Sequence, residues 1–210
     1  MQNSVDAKNR GRRGLLFAVG SILAVVAVAL IVWPGRSNHT PSPSTRAFIP
    51  EISTIDPAAL VPQLADLPAG SSVQSHAYVT TGQASQRNQT SLHILRSTGR
   101  EIGFERDFQV PGLGEIDVEV VRFRSHVGMR QAYAYFLRLP SAQGLDAVPF
   151  SGLGERAALV ASSQAGFVEF MRGRYYAVIT TVPATKTSLR YIRKVAHGLD
   201  IRILHYQPSA

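Results

Sequence analysis

Cysteine is absent from the 210 residues, which excludes a disulfide framework, a cysteine-based zinc site, an iron–sulfur cluster and a catalytic thiol. Stability must come from an ordinary hydrophobic core. The redox compartment stays open, because a cysteine-free chain survives on either side of a membrane. Charge is also scarce, 17% of residues against 45% hydrophobic, a balance that excludes overall disorder. Catalytic signatures are missing too. There is no Gly-x-Ser-x-Gly elbow, His-Glu-x-x-His helix, phosphate loop or dinucleotide fingerprint. The histidines at 39, 76, 93, 126, 197 and 205 are scattered, with no pair at the spacing of about three to five residues that a metal site on one element uses. The sequence therefore names no catalytic residue, no cofactor, no cofactor-binding residue and no metal ligand.

What is present begins with a membrane-length segment. Gly14 to Gly35 is a run of 22 residues without a charge, apolar from Leu15 to Trp33 apart from Gly20 and Ser21. As a helix it spans the hydrocarbon layer, which needs about 20 residues. Trp33 stands where an indole favours the interface, and Pro34-Gly35 end the helix. Lys8, Arg10, Arg12 and Arg13 outweigh Asp6 before the run, whereas Arg36 is the only nearby charge after it. The positive-inside rule then puts the N-terminus in the cytoplasm. The run is longer than a signal-peptide core, and Ile31-Val32-Trp33-Pro34 is no small-x-small cleavage triplet, so an uncleaved signal anchor is favoured over a cleaved peptide.

The organisation read from this is a basic cytoplasmic tail (1–13), a transmembrane helix (14–34), a Pro/Ser-rich linker with a short helix (35–66) and an extracytoplasmic α+β domain (67–206). Pro41, Pro43 and Pro50 among Ser and Thr give the linker too little apolar surface to fold. Asp56 before Pro57-Ala58-Ala59-Leu60 reads as a capped helix start, with Pro62 against its continuation.

In the domain, alternation predicts strands over 73–80, 91–97, 100–110, 115–124, 157–162 and 166–171, with 83–89 a polar loop. The alternation slips phase at Val120-Val121, which predicts a bulge there that restores one apolar face. Arg172-Gly173 predicts a tight turn into a strand over 174–182. Helical spacing returns at Met129, Ala132, Tyr133 and Phe136, and again at Leu189, Ile192, Val195, Ala196 and Leu199. The expectation is a mainly antiparallel sheet in ββα-ββα order with helices on one face. Gly112-Leu113-Gly114-Glu115 returns as Gly152-Leu153-Gly154-Glu155, either from an old duplication of the unit or as glycine turns reached twice.

The strings Phe123-Arg-Ser125 with Ala132-Tyr133-Ala-Tyr135-Phe136, then Gly152-Leu-Gly154-Glu155-Arg-Ala157, then Val168-Glu-Phe170-Met-Arg172-Gly173-Arg-Tyr175-Tyr176-Ala-Val178 carry a resemblance over about residues 100–200. Their order is similar to that of bacterial extracytoplasmic domains of unknown function tethered by a lipid or one helix. More loosely, the order of elements resembles the α/β sandwich of the photosystem-associated and nuclear-transport-factor-binding group. The resemblance implies a binding or accessory role and brings no catalytic residue.

Two charge patterns remain. Glu105 with Asp107, and Asp117 with Glu119, should project from shared strand faces. They read either as meeting carboxylates or as a solvated face paired to Arg106, Arg122 or Arg124. The formal charge of +8 divides into +3 on the tail and, from residue 69, 16 Lys+Arg against 10 Asp+Glu. Lys186, Arg190, Arg193, Lys194 and Arg202 on the last helix form a candidate basic interaction face for lipid headgroups, an acidic wall polymer or an acidic partner. Nucleic acid is excluded by location.

The reading favoured is a non-catalytic, single-pass membrane-anchored interaction domain, a sensor or accessory subunit of a membrane complex. Its partners are the bilayer through residues 14–34 and a protein or envelope component. Two other classes stay open: an envelope hydrolase using Asp117 and Glu119, and a small-ligand carrier with an apolar cavity between sheet and helices.

Overall fold

A computed structural model describes residues 55–85, 88–142 and 144–206. The tail, transmembrane helix and most of the linker expected from the sequence lie outside them. Among the described residues no helix is long and apolar enough to cross a membrane.

Helix α1 (Pro57–Leu60) opens the fold, its first turn capped by the Asp56 carboxylate accepting from the Ala58 N–H. A 3-10 turn (Leu64–Asp66) follows beyond Pro62. Leu60 and Val61, which the sequence placed in the linker, are fully buried, so packing begins earlier than residue 67.

The chain then runs β1 (Ser72–Val79), α2 (Thr81–Ala84), α3 (Gln89–Ser97), β2 (Arg100–Val110), β3 (Gly114–Phe123), α4 (His126–Phe136), α5 (Leu139–Ala142), β4 (Val148–Pro149), β5 (Arg156–Ala161), β6 (Gly166–Arg172), β7 (Tyr175–Val182) and α6 (Lys186–His205). The seven strands form one sheet in the order β1-β2-β3-β7-β6-β5-β4, antiparallel at every pairing.

Three expectations are corrected here. The segment 91–97 is helix α3 rather than a strand. Asn88 caps it by accepting from the Ser91 N–H, and its apolar residues are too few and too closely spaced to tell the two states apart by period. The polar loop expected at 83–89 begins within α2, a helix opened by a reciprocal Thr80/Gln83 capping box. The order is thus β-α-α-β-β-α, so the ββα repeat is absent, and with it the case for a duplication.

The bulge at Val120-Val121 is also absent, since β2 and β3 pair without a break from Ile102↔Arg122 to Val110↔Gly114. The phase slip has another cause: the sheet is covered on both faces, not one. Ile116, Val118 and Val120 lie with Phe104, Phe108, Ala177, Ile179, Val168 and Phe170 under Ile192, Ala196, Leu199 and Ile203 of α6. On the opposite face Val121, Phe123, Tyr176 and Val178 lie under Met129, Ala132 and Tyr133 of α4. A central strand with helices above and below is apolar on both sides.

The β6–β7 hairpin is present, with its two-residue turn at Gly173-Arg174, one position later than expected. Arg172 pairs with Tyr175, and Gly173 takes φ 57°. The returning Gly-Leu-Gly-Glu is a turn element both times, with positive φ at both glycines of each copy. At Gly154 an added Cβ would also stand 2.5 Å from the Met171 carbonyl, whereas at Gly112 it would meet nothing. Gly154→Ala should therefore cost about 2–3 kcal/mol in urea unfolding and Gly112→Ala about 1 kcal/mol; equal losses would show that the backbone conformation alone matters.

Candidate functional site

The first candidate is a carboxylate tier on the α4 side of the sheet, beyond the end of that helix's apolar cover. Alternation puts Glu105 and Asp107 of β2 on this face, and antiparallel register sets Glu119 opposite Glu105 and Asp117 opposite Asp107. One oxygen from each of Glu105, Asp107 and Asp117 lies within 4.8 Å of the others. The Ser75 hydroxyl donates to Asp107 from the neighbouring strand.

The buried Arg100 is the counter-charge. Its Nη2 lies 3.4 Å from Glu119 Oε1, and its Nη1 donates to the Val79 carbonyl at 2.9 Å. It crosses above Gly103, where any side chain would collide with the guanidinium. Burial, then the charges of Glu119 and Asp107, push the Glu105 carboxyl up to about 7. Burial and three neighbouring carboxylates raise Asp117 well above the ordinary range, and burial raises Glu119 against the opposing pull of Arg100. Glu105, Asp117 and Glu119 therefore keep their protons to higher pH than free carboxyls do. Its oxygens are of the hard type that a divalent cation such as Ca²⁺ takes.

The sequence correctly paired the carboxylates by face. It offered Arg106, Arg122 or Arg124 as their partners, and here the structure differs. Arg106 donates to the Pro62 carbonyl on the opposite face, Arg122 pairs with Glu101 at 2.8 Å, and the tier's arginine is Arg100. Only the strand register could have revealed that.

The second Gly-Leu-Gly-Glu is wired into a structural lock. Arg172 makes a bidentate pair with Asp200 of α6, both bonds 2.6 Å, and Asp200 also accepts from the Gly154 N–H at 3.0 Å. Glu155 accepts from the Gly173 N–H at 2.7 Å and meets His126 Nε2 at 2.7 Å. These groups tie α6, the β6–β7 hairpin and the start of α4 together, and every polar partner is internal.

The third candidate is the outer face of α6. Lys186, Arg190 and Lys194 are exposed there, and none has a carboxylate within ion-pair distance among the described residues. Arg193 is half-buried, its guanidinium 5.3 Å from the centre of the Phe150 ring. Arg202, grouped with them by sequence, is an internal strut. It pairs with Asp66 at 2.7 Å and donates to the Leu60 carbonyl at 3.3 Å, and that bond holds the Asp66 carboxyl below its usual range.

Beside this face an open cleft of about 460 Å³ lies between α6 and the Pro62–Pro68 segment, with Leu67, Tyr191, Val195 and Leu199 in its walls and Lys194 at its edge. Between sheet and α6 lie the buried residues of the larger core. The cleft was not legible in the sequence, because its two walls are far apart along the chain.

Fold and surface together define a mainly antiparallel α+β domain, helices on both faces, with an acidic tier on one and a basic helix on the other. No family model and no curated protein matches the chain. Among solved structures, the extracellular domain of PknH from Mycobacterium tuberculosis is similar at a TM-score of 0.49 and 7% sequence identity, over 74% of this chain and 100% of that one.

Proposed function

We propose that the protein is a single-pass membrane-anchored extracytoplasmic domain of bacterial type that works by binding, as a sensor or as an accessory subunit of a membrane complex. The observation that carries the reading is the outer face of α6, where Lys186, Arg190 and Lys194 stand exposed without acidic partners among the described residues. A surface of one sign favours encounter with an anionic partner. The uncharged run at 14–35 behind a basic tail supports the anchor, with the N-terminus cytoplasmic and the domain outside.

Reporter fusions should be active outside the cytoplasm when joined after residue 206 and inactive there when joined before residue 14; the reverse pattern overturns the orientation. Crosslinking in intact cells followed by mild detergent extraction should recover the protein in a larger species. A protein that always migrates alone at monomer size argues against a stable complex.

One observation favours a second reading, an envelope hydrolase: the close approach of the tier's carboxylates. If it holds, Asp117→Asn with Glu119→Gln abolishes an activity that a folded variant would otherwise keep. An unchanged activity in that variant ends it.

A further inference from the structure

The outer face of α6 carries more than charge. At about 100° per residue, Lys186, Arg190, Lys194, His197, Ile201 and Leu204 fall within roughly 80° of arc on the helix. All six are exposed, Ile201 at 51% and Leu204 at 41%, although both are large apolar side chains. The only acid in the helix, Asp200, is buried in its pair with Arg172. Three cations in the first half of the helix, followed along the same arc by two exposed aliphatic side chains and with no carboxylate among them, match an interface that is anionic at its surface and apolar just beneath. An acidic polymer would account for the cations and leave Ile201 and Leu204 in water.

The chain also enters the domain on this side. Leu60 and Asp66, near the start of the described residues, are bonded to Arg202 on the flank of the same helix. We infer that the outer face of α6 docks on the anionic lipid surface of the membrane in which the chain's own N-terminal segment is anchored. Lys186, Arg190 and Lys194 meet phosphate groups there, and Ile201 and Leu204 enter the headgroup layer. This rests on the anchored reading above and names the partner class of its basic face.

The absence of cysteine supplies the test. In the full chain, Gly198→Cys places a unique thiol beside Lys194, where an added Cβ meets nothing within 4 Å, and Gln109→Cys places one on the opposite face of the sheet. Each variant, carrying a polarity-sensitive fluorophore, is reconstituted into zwitterionic vesicles and into vesicles with about 30% anionic lipid. Docking predicts blue-shifted emission from position 198 on anionic vesicles only, with position 109 unchanged. The shift should be lost in about 0.5 M salt, where charges are screened within a few ångströms. Lys186→Glu/Arg190→Glu/Lys194→Glu should abolish it, and Lys194→Gln alone should lower the docked-to-undocked ratio on anionic vesicles about fivefold, the equivalent of about 1 kcal/mol per cation.

Identical emission on both vesicle types overturns the proposal, and so does a shift that needs an added acidic polymer or protein. Retention of the protein by purely zwitterionic vesicles through an alkaline wash reads the anchor separately. Loss of retention would sink the anchor, whereas retention without a shift sinks only the docking.

Discussion

Replacing Arg100 by Met should destabilise the domain by about 3–5 kcal/mol at pH 8, the range for removing one partner of a buried ion pair. Arg100 is 7% exposed and is the cation paired to the carboxylate tier; without it the half-buried Glu119 stands beside Glu105 and Asp117 with no compensating charge. The loss should shrink as the pH is lowered toward 5, because protonation then removes the charge that Arg100 no longer answers. Glu119→Gln in the Arg100→Met background should recover part of the loss at pH 8, and urea midpoints of the four proteins in that cycle measure the coupling. A loss that is independent of pH would show that Arg100 matters through packing and its bond to the Val79 carbonyl, not through the tier.

Stability should also fall as the pH rises from about 4.5 to about 7, where most proteins gain from ionising their carboxyls. Glu169 of β6 is 2% exposed, and burial pushes its carboxyl up to about 7, against the opposing effect of the Tyr176 hydroxyl that donates to it at 2.7 Å. Below the unfolded value of about 4.5 the group is protonated in both states and contributes no pH dependence. Between there and 7 the unfolded chain releases the proton that the folded chain keeps, so each step upward favours unfolding. Above 7 both states are ionised and the slope levels off. A shift of this size corresponds to about 3 kcal/mol for Glu169 alone. Glu105, raised likewise but partly open to solvent, adds a smaller share.

Glu169→Gln should remove most of that slope between pH 5 and 8. Its absolute gain at pH 8 should be smaller, because the new amide occupies the place of an oxygen that has no hydrogen-bond partner now. Unfolding curves at several pH values decide the matter. A wild-type protein at least as stable at pH 8 as at pH 5 would contradict the buried position of Glu169.

How much of this was legible depended on whether a residue's partner was near in the sequence. The strands around Phe104 to Phe108 and Ile116 to Val120, and helices α4 and α6, showed through their own periodicity. The apolar run at Leu92 to Leu95 had no such period to offer, and only the Asn88 cap distinguished a helix. The phase slip at Val121 was visible, but its cause was α4 packing on a second face, a tertiary fact that no strand carries in its own pattern. In the sites, Lys186, Arg190 and Lys194 were readable because helical spacing alone puts them outward. Arg202 is a cation of the same helix, but at about 100° per residue it falls some 80° beyond Lys194, on the flank where Asp66 meets it. Arg100 and Glu169 went unnoticed because a charge in a strand reads as solvent-facing until the register and the covering helix are known.

The way the chain is fastened at Ile55 has a mechanical meaning. The Ile55 carbonyl accepts from the Tyr175 hydroxyl at 3.0 Å and from Arg122 Nη1 at 3.2 Å. Those side chains belong to β7 and β3, adjacent strands in the middle of the sheet. A pull applied upstream of Ile55 is therefore delivered to the interior of the sheet, not to its edge. Strand β1, whose loss would be easiest, comes later in the chain and is shielded from that load. A domain stretched between a bilayer and a bound partner would resist peeling at the end where the tension arrives.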